Sequence, residues 1–533
     1  MLSVAQKNYV TYEKNKKSVS FGFADALSSR VLAGGLEYLK QNPVAEVAFL
    51  DATTMIAPRT YTDYKQNPVY GTETLFREVA PVLFNPFGPG IVAALMMASQ
   101  GYKGIGAGKD TIRSLHEAWK MAGGRNFHPE TSTQEEKYKI IKKYNNLILE
   151  NTAATTTNTT FNKLGKRELD SFSESLTDLM MNNQDKKFEK KLLSGVAEDY
   201  TLHTGAADFL KVKVGTEPHF STDINTLLED IVSVGKKFTT TLPEKLEGTV
   251  DHIVKFSKKK TLWATGLSIA GIITLPAINN AITRLRTGKS GYSAYQDFGK
   301  QEKTAQNNPE KKKNKAGLWL AKGIGAGILG SITLITMGAF SKNRGFFKSG
   351  GAKNFMDTIE LKGKSAHMDL IKLIYGTSLV SRVLCSRDEQ EVKVTTLRDS
   401  CGFLNWLVLG GFVTKGIAHL ADKKGLSFVN ITGPIVDKNA NPIKAALKTA
   451  SNWLSNLSLK TPSEIRAMNK NLPAATVNKN MAIHAAAIIG GFAWSMLVLG
   501  LGMPALNNFM TNKAREKQLK AKETENKNIK RLV

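Results

Sequence analysis

Six ionisable residues crowd the stretch before the first long apolar run: Asp51, Arg59, Asp63, Glu73, Arg77 and Glu78. Carboxylates grouped in this way can act as general acid and base. Their alternation with arginine favours a structural ion-pair network at a membrane surface. Lys415 and His419 lie four residues apart, on one face of a helix, within an apolar segment. Ionisable groups in such segments are costly and often functional. Both also fall in the last turns of the segment, where long polar side chains can reach lipid headgroups. His484, one turn into its own apolar segment, takes the same headgroup reading. No His-Glu-x-x-His, Gly-x-Ser-x-Gly or kinase signature is present, and the eight histidines lack ligand spacing. The sequence therefore names no catalytic residue, metal ligand or cofactor, and an enzyme is not expected.

Two phrases recur. Pro276-Ala-Ile-Asn-Asn280 matches Pro504-Ala-Leu-Asn-Asn508, each near the end of an apolar segment and just before basic residues. Tandem asparagines there can cap a helix end or bond across to a partner helix. A duplication placing two equivalent helices about one site, as in transporters, would also produce them. Lys103-Gly-Ile-Gly-Ala-Gly108 matches Lys322-Gly-Ile-Gly-Ala-Gly327. Neither is a phosphate loop, because Lys103 stands where glycine is required and Asp110 where serine or threonine is required. Gly323 and Gly327, with Gly330 beside them, instead form a small-residue face on which helices can approach closely.

The elements that must carry these residues are dominated by apolar segments. Leu262–Thr283 and Gly323–Phe340 contain no charged residue, and Asn480–Asn512 has no Lys, Arg, Asp or Glu in 33 residues. A spanning helix needs about 20 mostly apolar residues. The reading is all-α: a multi-pass α-helical integral membrane protein with a hydrophilic helical insertion. Residues 1–102 supply amphipathic helices and an apolar segment, Val79–Tyr102, broken by Pro81, Pro86 and Pro89. Residues 103–260 form the polar insertion, with Thr131-Ser-Thr-Gln134 as a capping box and 151–162 as a Thr/Asn linker. Its apolar stripes read as core: Ile141, Tyr144 and Ile148; Phe172, Leu176, Leu179 and Met180; Leu227, Leu228, Ile231 and Val232; Leu246, Val250, Ile253 and Val254. Residues 261–511 are the membrane part, with spans near 262–283, 317–340, 402–420 and 482–506, and a weak or interfacial segment at 369–384. A basic tail occupies 512–533.

The chain of 533 residues carries a net charge of +27, while its mean hydropathy is −0.22. The cations concentrate beside apolar segments, as in the 284–316 stretch with nine Lys/Arg against three acids. That placement favours anionic lipid headgroups over nucleic acid as the partner. Only Cys385 and Cys401 are present, so no disulfide framework or zinc site is suggested. The first residues have no apolar core of a cleavable signal. A bacterial-type cytoplasmic membrane is the favoured location, but lysines on both sides of most segments leave the orientation open. The expected function is structural or interactive, with homo-oligomer contacts through small-residue faces. The alternatives are a transporter or channel built on the repeated helix pair, and a secreted pore-forming effector.

Overall fold

The computed structural model describes residues 43–100, 106–158, 161–182, 186–288, 315–339, 345–361, 368–422, 428–434 and 456–510, apart from 348, and isolated residues elsewhere. The chain is mostly helical, with a few short strands. A π-helical turn, Asp51–Ile56, joins α1 (Pro43–Leu50) to α2 (Ala57–Gln66). Asn67 caps α3 (Pro68–Phe84) by accepting from the Val69 and Tyr70 amides, and Pro68 sits where its missing N–H costs nothing. The expected break comes after Phe84, and α4 (Gly88–Ser99) resumes the run. Pro81 does not break the chain but is carried inside α3.

The insertion comprises α5 (Lys109–Ala122), α6 (Gln134–Glu150), α7 (Lys166–Met181), α8 (Lys186–Thr204) and α9 (Ile224–Thr239). An antiparallel sheet of β1 (Thr152–Ala154), β2 (Leu210–Val212) and β3 (Phe220–Thr222) joins them, with Thr152 opposite Val212 and Leu210 opposite Thr222. The apolar stripes read from the sequence all enter one core. At its centre Trp119 meets Phe127, Tyr144 and Phe238 at ring distances of 5.2, 5.6 and 5.8 Å. Two expectations are corrected. The capping box is Thr133 with Glu136, two residues later than read. Part of the Thr/Asn linker is the strand β1, because β-branched threonine suits extended backbone.

α10 (Pro243–Thr287) has 45 residues and runs about 68 Å at ~1.5 Å per residue. It closes the insertion core with Leu246 and Val250 and continues without a break into the apolar segment, so the boundary read at 260 falls inside one rod. Then come α11 (Lys315–Thr336), α12 (Gly351–Ile359), α13 (Met368–Leu384) and α14 (Glu389–Leu404). A π-helical turn, Asn405–Leu409, leads into α15 (Gly410–Asp422). The hairpin β4 (Val429–Ile431) and β5 (Leu457–Leu459) precedes α16 (Pro462–Met468) and α17 (Ala474–Ser495). A third π-helical stretch, Met496–Gly502, extends α17 towards Met510.

Four helical stretches are long and apolar enough to cross a bilayer: Pro68–Ser99, Pro243–Thr287, Lys315–Thr336 and Ala474–Met510. Gly402–Leu420 is not among them, and the α3–α4 pair takes its place. α13, expected as weak or interfacial, packs against α10, α11 and α14, with Leu370, Ile371, Ile374 and Val383 buried. Gly376 permits this, since a Cβ there would lie 2.1 Å from Thr333 Oγ1. The N-terminal stripe before residue 35, the 289–314 part of the basic loop and most of the tail lie outside the described residues.

Candidate functional site

The six ionisable residues that open the sequence reading converge, and they are buried. Helical spacing sets the first links: Arg59 and Asp63 lie one turn apart on α2, and Glu73 and Arg77 one turn apart on α3. Thr74 Oγ1 donates to Asp63 Oδ2 at 2.7 Å, and Arg77 Nη2 donates to Thr74 Oγ1 at 3.1 Å. The partners come from about 300 residues away. Arg382 on α13 bridges Glu78 at 3.4 Å and Asp399 at 3.7 Å. Arg59 and Arg77 approach the other Glu78 oxygen at 3.7 and 3.5 Å. Arg387 clamps Glu73 with both terminal nitrogens at 2.6 and 3.3 Å, and also holds Glu391 at 2.9 Å. Arg398 pairs with Asp399 at 2.9 Å. Tyr375 donates to Asp51 at 3.4 Å.

Counted together, six carboxylates (Asp51, Asp63, Glu73, Glu78, Glu391, Asp399) face five guanidinium groups (Arg59, Arg77, Arg382, Arg387, Arg398). Glu78 and Asp399 are each only 3 % exposed. Charges so enclosed persist only when paired. The pairing is nevertheless incomplete: among the described residues Arg59 Nε and Nη2, Asp51 Oδ2 and Arg398 Nη2 have no hydrogen-bond partner. The expected position at a surface is therefore corrected to the interior.

Three π-helical turns meet beside this cluster. Gly500 lets one pass another, since its Cβ would lie 3.1 Å from Thr54 O, and Trp494 Nε1 donates to Asn405 Oδ1 at 3.0 Å. Gly402 leaves room for Arg59, whose Nη2 is 3.3 Å from where a Cβ would stand. π-helical turns widen the backbone ladder and occur often at functional sites.

Both asparagine pairs turn towards α3 or its neighbours rather than capping their own helices. Asn279 donates to Glu73 O and Asn507 to Tyr70 Oη, each at 3.4 Å, and Asn280 donates to Cys385 O at 2.8 Å. Asn508 Oδ1 is buried without a partner among the described residues. Neither Pro276 nor Pro504 ends its helix. Gly323, Gly327 and Gly330 meet nothing within the chain; a Cβ at each would enter open space. The close helix contact on α11 is made by Gly325, against Thr396 and Val383.

Comparison with known protein families, curated proteins and solved structures finds no match.

Lys415 and His419, read as a pair, part company. His419 stacks edge-on against Trp453 at 5.7 Å. Lys415 instead lines a cavity of about 210 Å³ with Lys460, Thr461 and His484. His484 does not reach outward as expected. It is 3 % exposed, and its Nε2 donates to Lys460 O at 2.8 Å. Lys460 Nζ donates to Asn430 Oδ1 at 2.7 Å. Burial lowers the Lys460 pKa, opposed by the Glu464 and Asp422 carboxylates. Asp422, at the end of α15, is pushed up to about 6 by burial.

Glu464 joins this region to the insertion. One of its oxygens accepts from the Ala207 and Asp208 amides at 2.9 and 3.3 Å, the other from the Thr461 amide and Asn430 Nδ2 at 2.9 and 3.0 Å. Thr157 N donates to Ile431 O at 2.7 Å, and Arg466 pairs with Glu198 at 2.8 Å. Sequence reasoning missed Arg387, Arg398, Asp399, Lys460 and Glu464. The one available signal was a second block of alternating charge, residues 382–399, complementary to 51–78.

Proposed function

We propose that this chain is a multi-pass integral membrane protein that holds its helical insertion at a bilayer surface as a structural or interaction platform. One observation carries the reading: charge and apolar surface are exchanged relative to a water-soluble fold. The four apolar stretches turn Leu83, Leu95, Trp263, Leu320, Ile335 and Leu501 outward, while the arginines and carboxylates lie inside. In water such a surface would be an aggregation liability; in lipid it is the required one. The cationic segments beside these helices contact anionic headgroups. The open glycine face of Gly323 and Gly327 suits a second copy or lipid. A cytoplasmic membrane of bacterial type fits the reading. Alkaline carbonate washing should leave the protein in the membrane pellet, and release into the supernatant overturns it.

A second reading, ion translocation, is favoured by the incompletely paired Arg59 and Asp51 beside three π-helical turns. Ionisable groups inside a bundle mark ion and proton paths. Purified protein in liposomes should then show an ion flux that Asp51→Asn abolishes while insertion persists. An unaltered flux, or none in the wild type, leaves the platform reading alone.

A further inference from the structure

We propose that the cavity between α15, α17 and the β4–β5 hairpin binds a phosphate-class anion, presented by the headgroup of an anionic lipid. The inference rests on the membrane reading above and adds a site to it. Three cationic or proton-donating side chains line the cavity, Lys415, Lys460 and His484, and two of them are almost inaccessible from outside. A lysine ammonium carries three donors; Asn430 takes one from Lys460. The hydroxyls of Thr414, Ser458 and Thr461 share the wall, and Ser458 Oγ is buried without a hydrogen-bond partner among the described residues. The one carboxylate on the wall is Asp208, contributed by the insertion. Asp422 and Glu464 act on Lys460 from outside the cavity. Charge-assisted bonds from several converging donors are how proteins hold phosphate oxygens.

What selects a lipid is the neighbouring space. Gly411 and Thr414 also line a second cavity of about 180 Å³, whose walls include Val47, Leu50, Trp406 and Phe492. A polar chamber thus adjoins a largely apolar one across a single turn of α15. That arrangement suits a molecule with an anionic head and an acyl chain, and basic pockets between membrane helices are known to take such headgroups. Gly411 keeps the junction open: a Cβ there would meet nothing within 4 Å.

The test uses the full-length protein in neutral detergent and the fluorescence of its tryptophans, Trp406 among them. Brominated phosphatidylglycerol should quench more strongly than brominated phosphatidylcholine. Lys415→Gln and His484→Gln should each weaken the phosphatidylglycerol response about tenfold, the effect of losing one charge-assisted bond. Gly411→Leu should reduce it by blocking the junction, with an unchanged circular dichroism spectrum. Asp208→Asn should strengthen it by removing the repelling charge. Inorganic phosphate alone is the second arm: saturable binding that Lys415→Gln weakens, without any preference between the two lipids, supports the anion site with a soluble source and overturns the lipid source. Equal quenching by both lipids with no phosphate binding overturns the site. Carbonate washing of the same variants separates the failures, because a protein that stays in the pellet while showing no anion response loses the site and keeps the membrane reading.

Discussion

The insertion and the apolar-helix body solve the burial problem in opposite ways. The insertion buries Trp119, Tyr144 and Phe238 and leaves most of its lysines and acids outside. The body buries Glu78, Arg382, Arg398 and Asp399 and leaves leucine, isoleucine and tryptophan outside. A single rod, α10, belongs to both: Leu246 and Val250 sit in the first core, and Ala264 and Ile272 in the second. The contrast teaches that stability in the two regions rests on different forces. In the insertion it is area removed from water. In the body, where lipid would offer apolar side chains as good an environment as the interior, packing and polar contacts must hold the helices together.

Changes at the two centres should break this comparison most sharply. Arg382→Leu strips Glu78 and Asp399 of their shared partner, and breaking a buried pair costs about 3–5 kcal/mol. Trp119→Ala should cost a similar amount, about 3–5 kcal/mol, by opening a cavity in the insertion. Hydrogen exchange should place the first loss of protection in the body and the second in the insertion. If either variant loosened both regions equally, the two would be one cooperative unit.

A smaller effect is expected at the joint. Glu464→Gln replaces an acceptor of four hydrogen bonds by a neutral amide that must turn a donor towards two of them. Bonds to charged groups are worth about 1.5–3 kcal/mol each. Limited proteolysis at the β4–β5 hairpin should accelerate while the insertion core stays protected. No change in cleavage would mean that the contact is not what holds the two parts together.

The effect of pH should be confined to the insertion. Burial pushes the His116 pKa from 6.5 down to about 4, with Lys120 and Arg125 adding to the shift and Glu247 and Asp251 opposing it. The unfolded chain therefore takes up a proton before the folded one does. Stability from this residue is intact above about pH 6.5, falls as the pH drops towards about 4, and levels off below that. The unfolding midpoint of the insertion should decline through that window, and His116→Gln should flatten the decline. The smallest change is Thr133→Ala, which removes the α6 cap for about 1 kcal/mol, read as a lowered unfolding midpoint.

Much of the helical layout is legible in the residues because it is local. The stripes Phe172–Met180 and Leu227–Val232 repeat at helical spacing, and all of these side chains enter the core. Pro86 and Pro89 break the run after α3, as proline must where it removes amides and crowds the preceding turn. The capping box was misplaced by two residues because Thr131 and Thr133 are each followed three residues later by a Gln or Glu, and the first match is not the one the backbone uses. α13 was misread as interfacial because Lys372 and Arg382 interrupt its apolar pattern. Arg382 turns inward to Glu78, and Lys372 is tied to Asp369 and Thr336 O.

By itself the sequence determined which segments are helical, which are apolar enough to cross a bilayer, and that charges gather before the first of them. These follow from composition and from periods of a few residues. Only the tertiary structure decided that those charges are buried and matched, because their partners on α13 and α14 lie some 300 residues away and no local pattern encodes the pairing. It also decided that Lys415 meets Lys460 and His484 instead of acting with His419, and that Gly325 rather than Gly323 or Gly327 makes the close contact within the chain. A helix carries its side chains on every face, and neighbouring helices alone fix which face is inside.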